Sequence, residues 1–148
     1  MKTVIQRVSR ASVRSGEECR SIGKGFLVLV GLESGDTEEQ CAWVAAKIAG
    51  LRIFNDPEDR MNLSLEEVRG EILAVSQFTL AGSVERGRRP SFDNAMPAEQ
   101  ARPLFDRFIE RLRAEGCRVQ TGFFQCPMEV ELVNDGPVTF VLEHRPRS

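Results

Sequence analysis

Histidine is almost absent from this sequence: His144 is the only one among 148 residues. It lies in a tail rich in proline and arginine, so no Ser-His-Asp triad or histidine-rich metal site can be recognised around it. The four cysteines show no C-x-x-C spacing, which argues against a structural zinc site. We therefore expect no metal and no other cofactor. We also expect free thiols, because a chain of this length needs no disulfide staples; the cysteines are Cys19, Cys41, Cys117 and Cys126.

Long apolar runs are also missing. No stretch approaches the roughly 18–20 residues needed to cross a bilayer, so we expect no membrane partner. The segment from Met1 to Arg7 carries charge and polarity where a signal peptide needs an uninterrupted apolar run. These features predict a cytoplasmic protein. With 41% hydrophobic residues and no repeat or linker, residues 1–148 are expected to form a single domain.

Neither sign of charge dominates: 20 Lys and Arg oppose 22 Asp and Glu, for a net charge of −2. This balance argues against broad attraction to phosphate. Basic residues are nevertheless clustered in one loop, with Arg86, Arg88 and Arg89, and in the tail, with Arg145 and Arg147. Contact with the end of a nucleic acid and a solvated surface are both open interpretations.

The hydrophobic pattern predicts a mixed α/β protein in which strands outnumber helices. Strands are expected over residues 3–15, 17–22 and 118–121, with a buried central strand over residues 25–31. A first helix should begin near a capping pair formed by Asp36 and Glu39. A second should run from about Ala98 to Glu115 and stop at Gly116.

Polar side chains follow a buried strand in the middle of the chain. The apolar residues 72–75 lead directly into Ser76, Gln77, Phe78 and Thr79. Strand ends are common places for catalytic groups, because backbone N–H groups become available where the pairing ladder stops. The alternative is that these side chains only satisfy neighbouring backbone.

A glycine and a proline interrupt two alternating runs near the C-terminus. The segment from Asn134 to Thr139 lies between them, which predicts a hairpin with Pro137 at its tip. The Gly136–Pro137 step could be an ordinary loop feature or a functional turn, since proline fixes its own φ and X-Pro bonds can be cis.

Together these segments resemble the D-aminoacyl-tRNA deacylases, editing enzymes that remove D-amino acids from tRNA. The resemblance covers essentially the whole chain, and its most specific parts are Ser76 to Leu80 and Asn134 to Thr139. The other matching stretches are Ile5 to Val8, Arg52 to Phe54 with Met61 to Leu63, and Glu85 to Phe92.

The resemblance implies a barrel-like core of mixed sheets with two main helices, assembled as a homodimer. It implies hydrolysis of an aminoacyl ester at the acceptor end of tRNA, with the tRNA 2′-hydroxyl assisting the attacking water. Phe78 would supply an N–H to the oxyanion, helped by Gln77, and the catalytic segment would include Ser76 and Thr79. Because a hydroxyl nucleophile needs an adjacent base, attack by Thr79 is the alternative mechanism.

The same resemblance implies how L-amino acids are rejected. A cis Gly136–Pro137 step of one subunit would enter the other subunit's pocket, and Arg7 would brace it. Glycine mischarged on alanine tRNA follows as a second substrate, since glycine has no Cβ for this wall to exclude. The remaining substrate-binding positions are Asn134, Val138 and Thr139.

Three other interpretations stay open from the sequence. One is a sister deacylase with a trans Gly-Pro bond that acts on small L-aminoacyl-tRNA. The second is a non-catalytic nucleic-acid-binding module. The third is a structural dimerisation protein, which would not need a polar strand end beside a rigid turn.

Overall fold

The computed structural model describes residues 1–147. Within them the chain forms eight strands, two α-helices and a short 3₁₀ helix. In chain order they are β1 (Lys2–Ser15), β2 (Glu18–Ile22), β3 (Gly25–Gly31), α1 (Glu38–Gly50), β4 (Phe54–Asn55), β5 (Met61–Leu63), β6 (Glu71–Ser76), the 3₁₀ helix (Phe78–Ala81), α2 (Ala98–Ala114), β7 (Arg118–Thr121) and β8 (Glu129–Glu143).

The long strand β1 organises the main sheet. Its first half pairs with β3 and its second half with β2, while β8 pairs with it along most of its length. All these pairings are antiparallel, whereas β3, β6 and β7 are parallel neighbours. The strand order β2-β1-β3-β6-β7, with β8 also on β1, gives a nearly closed, mixed sheet. The predicted α/β fold with a barrel-like core and two helices is confirmed.

The sheet is packed on two sides. The inner face of α1 and the apolar stripe of α2 share the larger core cluster with side chains of β3 and β6. A smaller cluster, which includes Val8, Val13, Leu27, Leu73 and Val75, lies on the other side. The strands β3 and β6 are therefore buried on both faces, which explains their unbroken apolar runs.

The start of α1 differs from the prediction by one residue. Thr37 is the N-cap: its hydroxyl accepts from the N–H of Glu39 at 3.2 Å, and the Gln40 side chain accepts from the N–H of Thr37 at 2.8 Å. The predicted capping pair of Asp36 and Glu39 is wrong. The buried Asp36 carboxylate instead accepts a hydrogen bond from the ammonium group of Met1 at 2.8 Å. A buried carboxylate needs such a charged donor, whereas the exposed threonine is available to cap.

The predicted end of α2 is confirmed to within one residue. The helix runs to Ala114, and Glu115 is its C-cap. Gly116 follows with φ +93°, a left-handed conformation that glycine adopts without steric cost.

The predicted C-terminal hairpin is wrong, because residues 129–143 form one strand. β8 keeps the same direction on β1 throughout. Val8 pairs with Asn134 and Gln6 pairs with Thr139, so residues 135–138 bulge out opposite Arg7. Two alternating runs beside one partner give the same sequence pattern as the two arms of a hairpin.

Three further observations concern residues 1–147. No helix in this range has both the length and the apolar composition that a membrane span requires. The four cysteines are free thiols. No three His, Cys, Asp or Glu side chains in the same range are grouped in a way that could hold a metal ion.

Candidate active site

A pocket of about 580 Å³ opens at the C-terminal end of β6. Ser76, Gln77 and Phe78 form one wall, with apolar side chains behind them. The other walls come from the start of α2 and from the loop between β7 and β8. Their residues are Met96, Ala98, Ala101, Phe124, Gln125, Cys126, Met128 and Val130.

The sheet ladder stops at the first wall of this pocket. The N–H of Gln77 donates to the carbonyl of Val30 at 2.7 Å, and the chain then turns into the 3₁₀ helix. The first N–H groups of a helix have no acceptor within it, so the N–H of Phe78 is suited to bind a ligand oxygen. Glycine at position 31 permits this close approach, since a Cβ there would lie 2.7 Å from Cβ of Leu80.

The predicted catalytic segment is assembled at one place, with one distinction. Ser76, Gln77 and Phe78 line the pocket, whereas Thr79 lies beside it. The Gln77 side-chain amide donates to the hydroxyl of Thr79. The Phe78 ring is 57% exposed and packs near Phe92, with the ring centroids 5.3 Å apart.

Sequence reasoning missed the wall opposite this segment. Phe124, Gln125, Cys126 and Met128 belong to the connection between β7 and β8. The Met128 sulfur accepts from the N–H of Phe123 at 3.2 Å, which holds the connection in a compact turn. The sequence did contain one signal for this wall. Two consecutive phenylalanines lie in a loop, where large apolar side chains are unusual unless they line a core or a binding site.

The pocket wall offers no conventional base. Of the described residues that line it, none is a histidine, lysine, arginine or carboxylate. His144 has a different environment: its ring stacks on Trp43, with the ring centroids 4.1 Å apart, and its backbone N–H donates to the carbonyl of Met1 at 3.0 Å. A serine or threonine nucleophile needs an adjacent base, and the described surroundings of Ser76 and Thr79 do not supply one.

The bulge in β8 is held by Arg7. This residue is only 6% exposed, and its side chain reaches from the bulge to β4. Its Nε donates to the carbonyl of Asp135 at 3.0 Å, and its Nη1 donates to the carbonyl of Ile53 at 2.8 Å and to Oδ1 of Asn55 at 3.0 Å. The segments around residues 7, 53 and 135 are thus joined by one guanidinium.

Asn134 holds the bulge from inside. Its Oδ1 accepts from the N–H of Val138 at 3.0 Å, and its Nδ2 donates to the hydroxyl of Thr139 at 3.0 Å. Val138 is buried, whereas Gly136 and Pro137 are exposed and joined by a cis peptide bond. Gly136 has φ +134°, and a Cβ there would lie 2.6 Å from Cγ2 of Val138, so only glycine fits this position.

The structure therefore divides the predicted site residues into two groups within one chain. The strand-end residues line the 580 Å³ pocket. Arg7, Asn134 and residues 136–139 do not, and they form the exposed bulge instead. One chain alone does not bring the bulge into the pocket.

The two predicted basic clusters differ in their surroundings. The arginine loop (residues 84–90, with Arg86, Arg88 and Arg89) is exposed, and a bridge between residues 83 and 91 closes its base. Arg145 is already paired: its Nε lies 3.1 Å from a carboxylate oxygen of Glu33, and its Nη1 lies 2.6 Å from one of Glu143. The tail cluster is thus a weaker candidate for phosphate contact than the loop.

The Glu33 carboxylate is a buried ionised group outside the pocket. Burial raises its pKa, but hydrogen bonds from the Met1 ammonium and from Arg145 outweigh this effect and hold the pKa below its usual value. Glu33 also accepts from the Asn94 side chain at 2.7 Å. It thereby connects the end of β3 to the segment that leads into α2.

Comparison with known proteins relates the whole chain to one family. Residues 4–143 match the family model described as D-Tyr-tRNA(Tyr) deacylase. A D-aminoacyl-tRNA deacylase of Geobacter sulfurreducens is 57% identical over 100% of this chain and 98% of its own length. A D-aminoacyl-tRNA deacylase of Pelobacter propionicus is 58% identical, over 97% of this chain and 99% of its own.

Two solved structures share the fold. One, described as c-Myc DNA Unwinding Element Binding Protein, is 42% identical with a TM-score of 0.92, over 99% of this chain and 100% of that chain. The other is described as a probable eukaryotic D-amino acid tRNA deacylase, with 21% identity and a TM-score of 0.83, over 95% of this chain and 97% of that chain. At that identity the second likeness concerns the fold alone.

Proposed function

This chain belongs to the D-Tyr-tRNA(Tyr) deacylase family, and we propose from that premise that it hydrolyses the ester of D-aminoacyl-tRNA in the cytoplasm. The observation that carries the proposal is the polar strand end in the pocket: Ser76, Gln77 and Phe78 meet at the point where the sheet ladder stops. An aminoacyl ester needs its carbonyl oxygen stabilised in the transition state, and a fixed backbone N–H serves that purpose.

In the proposed mechanism the protein positions the ester and the substrate assists its own hydrolysis. The N–H of Phe78 binds the developing oxyanion, with Gln77 beside it. The 2′-hydroxyl of the terminal ribose activates the attacking water, because the described pocket wall has no histidine, lysine or carboxylate to do so. Ser76 shapes the surroundings of the carbonyl, and Thr79, beside the pocket, is held by Gln77 rather than by a base.

The proposed selection against L-amino acids is steric and needs two subunits. The Gly136–Pro137 step is exposed in one chain, and Arg7 and Asn134 fix its backbone. A rigid backbone of this kind can act as a wall in a partner's pocket, because packed backbone does not yield cheaply. Asn134, Val138 and Thr139 would hold the wall in shape.

Exposed apolar side chains on β8 support the proposed homodimer. Val133, Phe140 and Val141 are large apolar side chains on this strand, and each is at least 40% exposed. They flank the bulge on both sides. Exposed apolar residues grouped around a polar motif are typical of an interaction surface.

A wall that excludes by handedness also determines the substrate range. It excludes the side chain of an L-amino acid and does not contact the side chain of a D-amino acid. Glycine has no Cβ, so glycyl-tRNA mischarged on alanine tRNA is proposed as a second substrate. Loss of glycine from such a tRNA, measured beside the D ester, tests this extension.

Nucleic-acid binding without catalysis is the second candidate function. It is favoured by one observation: the neighbour with 42% identity is described as a protein that binds a DNA unwinding element. The net charge of −2 argues against strong attraction of this chain to duplex phosphates. A sister deacylase that acts on small L-aminoacyl-tRNA is the remaining alternative.

One assay separates these functions. Purified protein is incubated with matched D-tyrosyl-tRNA and L-tyrosyl-tRNA, and with L-alanyl-tRNA, and loss of each ester is followed over time. Rapid loss of the D ester alone is the expected result. If no ester is lost, the catalytic proposal fails and nucleic-acid binding becomes the leading function; loss of the alanyl ester would identify the sister activity.

A further inference from the structure

A second groove adjoins the candidate active site and runs along α2. It has a volume of about 590 Å³ and lies between α2 and residues 121–126. Phe124 and Cys126 line both the groove and the 580 Å³ pocket. The two openings are therefore neighbours on the surface, with these two residues between them.

Two arginines in this groove lie against phenylalanine rings. The guanidinium carbon of Arg20 is 4.3 Å from the ring centroid of Phe123, and that of Arg102 is 5.6 Å from the centroid of Phe124. The Nη1 of Arg20 donates to the carbonyl of Thr121 at 3.0 Å, which fixes its plane. Flat aromatic and guanidinium surfaces of this kind are what unstacked nucleotide bases bind in single-stranded RNA.

The charges in the groove favour an anionic ligand only moderately. Arg20, Arg102 and Arg113 face two acids, Asp106 and Glu110. Glu110 already pairs with Arg107 on the same helix, at 2.9 Å. The groove is therefore more basic than the chain as a whole, whose net charge is −2.

The groove is also long enough for a short stretch of nucleic acid. From Arg102 to Arg113 the helix rises roughly 16 Å, whereas each stacked nucleotide of a strand adds ~3.4 Å along the axis. More than one nucleotide can lie along it.

We propose that this groove binds the unpaired nucleotides that precede the terminal adenosine of the tRNA substrate. The inference rests on the proposed function, because it takes the 580 Å³ pocket as the site of the aminoacyl ester. Arg20 and Arg102 with their phenylalanines stack on the bases, and Arg113 at the far end contacts phosphate. Stacking carries most of the binding, so affinity depends weakly on salt.

The test compares two arginines of α2. Arg102 lies in the groove, whereas Arg111 is exposed on the same helix and does not line it. Arg102→Ala and Arg111→Ala remove the same charge, so they separate groove contact from general electrostatics. Far-UV circular dichroism checks that both variants fold.

Each protein is assayed with D-tyrosyl-tRNA and with the D-tyrosyl ester of adenosine alone. For Arg102→Ala we expect the ratio of kcat/KM between these two substrates to fall at least about fivefold, since only the tRNA reaches the groove. The same ratio of kcat/KM for Arg111→Ala should equal that of the unsubstituted protein. An equal fall for both variants, or no fall for Arg102→Ala, would overturn the proposal.

A binding measurement keeps this test separate from the proposed function. The dissociation constant of a labelled single-stranded RNA ending in CCA is measured by fluorescence anisotropy at two salt concentrations. Arg102→Ala should weaken binding at least about fivefold, and Arg111→Ala should not. If the original protein hydrolyses no D ester, the proposed function fails while this titration still decides whether the groove binds RNA.

Discussion

The Nε of Arg7 donates a 3.0 Å hydrogen bond to the carbonyl oxygen of Asp135, the residue that precedes the exposed Gly136–Pro137 step. Arg7 is the one residue of β1 opposite the bulge, where the register of β8 shifts. The arginine side chain thus occupies the gap that the bulge leaves in the ladder. Its Nε thereby satisfies a backbone carbonyl of the bulge, and its Nη1 binds the segment around residues 53–55.

Arg7→Ala should therefore destabilise the fold and loosen the bulge. We expect a loss of about 2–3 kcal/mol in the free energy of unfolding, since the buried carbonyl of Ile53 loses a charged donor. Urea unfolding measures this loss. Arg10→Ala, an exposed arginine on the same strand, is the control and should change stability by less than about 0.5 kcal/mol.

The same variant tests the role of the bulge in chirality. If Gly136–Pro137 forms the wall, Arg7→Ala should raise hydrolysis of L-tyrosyl-tRNA relative to D-tyrosyl-tRNA. Both rates are measured at a temperature where the variant remains folded. If the variant is less stable but its ratio of L- to D-tyrosyl-tRNA hydrolysis is unchanged, the contacts of Arg7 do not affect selectivity. That result would count against the proposed wall.

Thr79→Ala should keep most of the deacylase activity. The Thr79 hydroxyl accepts from Gln77 and has no base beside it, so it is not activated as a nucleophile. We expect kcat to change by less than about fivefold, whereas loss of a true nucleophile costs on the order of 10⁴-fold or more. Single-turnover hydrolysis of D-tyrosyl-tRNA measures this rate. A loss of that size would instead support nucleophilic attack by Thr79.

The proton route can be tested on the substrate rather than on the protein. D-tyrosyl-tRNA whose terminal adenosine lacks the 2′-hydroxyl should react roughly 10²–10⁴-fold more slowly, the usual contribution of a positioned acid or base. Binding of the modified tRNA, measured by competition, should stay close to normal. Equal rates for the two tRNAs would mean that another group activates the water.

Two of the four cysteines should react with an alkylating reagent in the native protein, and two should not. Burial raises the pKa of the Cys41 thiol to about 12, helped by Asp36, and burial raises that of Cys117 to about 11, helped by Glu115. Both stay protonated at pH 8 and should be inert in the native protein, because the thiolate is the reactive form. Two exposed thiols remain, those of Cys19 and Cys126.

A brief pulse of iodoacetamide at pH 8, followed by intact mass spectrometry, should therefore add two groups to the native protein and four to the unfolded one. Peptide mapping assigns them. Rapid labelling of Cys41 in the native state would show that the packing of α1 is looser than in this structure.

The sequence determined the local elements and the chemistry of the site. The periodicity of residues 41–48 and 104–112 is sufficient to predict both helices, because the 3.6-residue repeat is local. The composition likewise restricts the mechanism. The chain has a single histidine, so a hydroxyl nucleophile activated by histidine is possible only close to His144. Ser76, Gln77 and Phe78 were identified from a polar strand end, and they do line one pocket.

Only the tertiary structure decided what lies opposite these residues. The alternation on either side of Gly136 is the same for a hairpin as for one bulged strand, and pairing of both runs with β1 selected the strand. The wall formed by Phe124 to Met128 and the gap filled by Arg7 likewise depend on contacts between distant segments. Pairing over such separations is set by which surfaces bury each other best in the complete fold, and a local pattern does not contain that information.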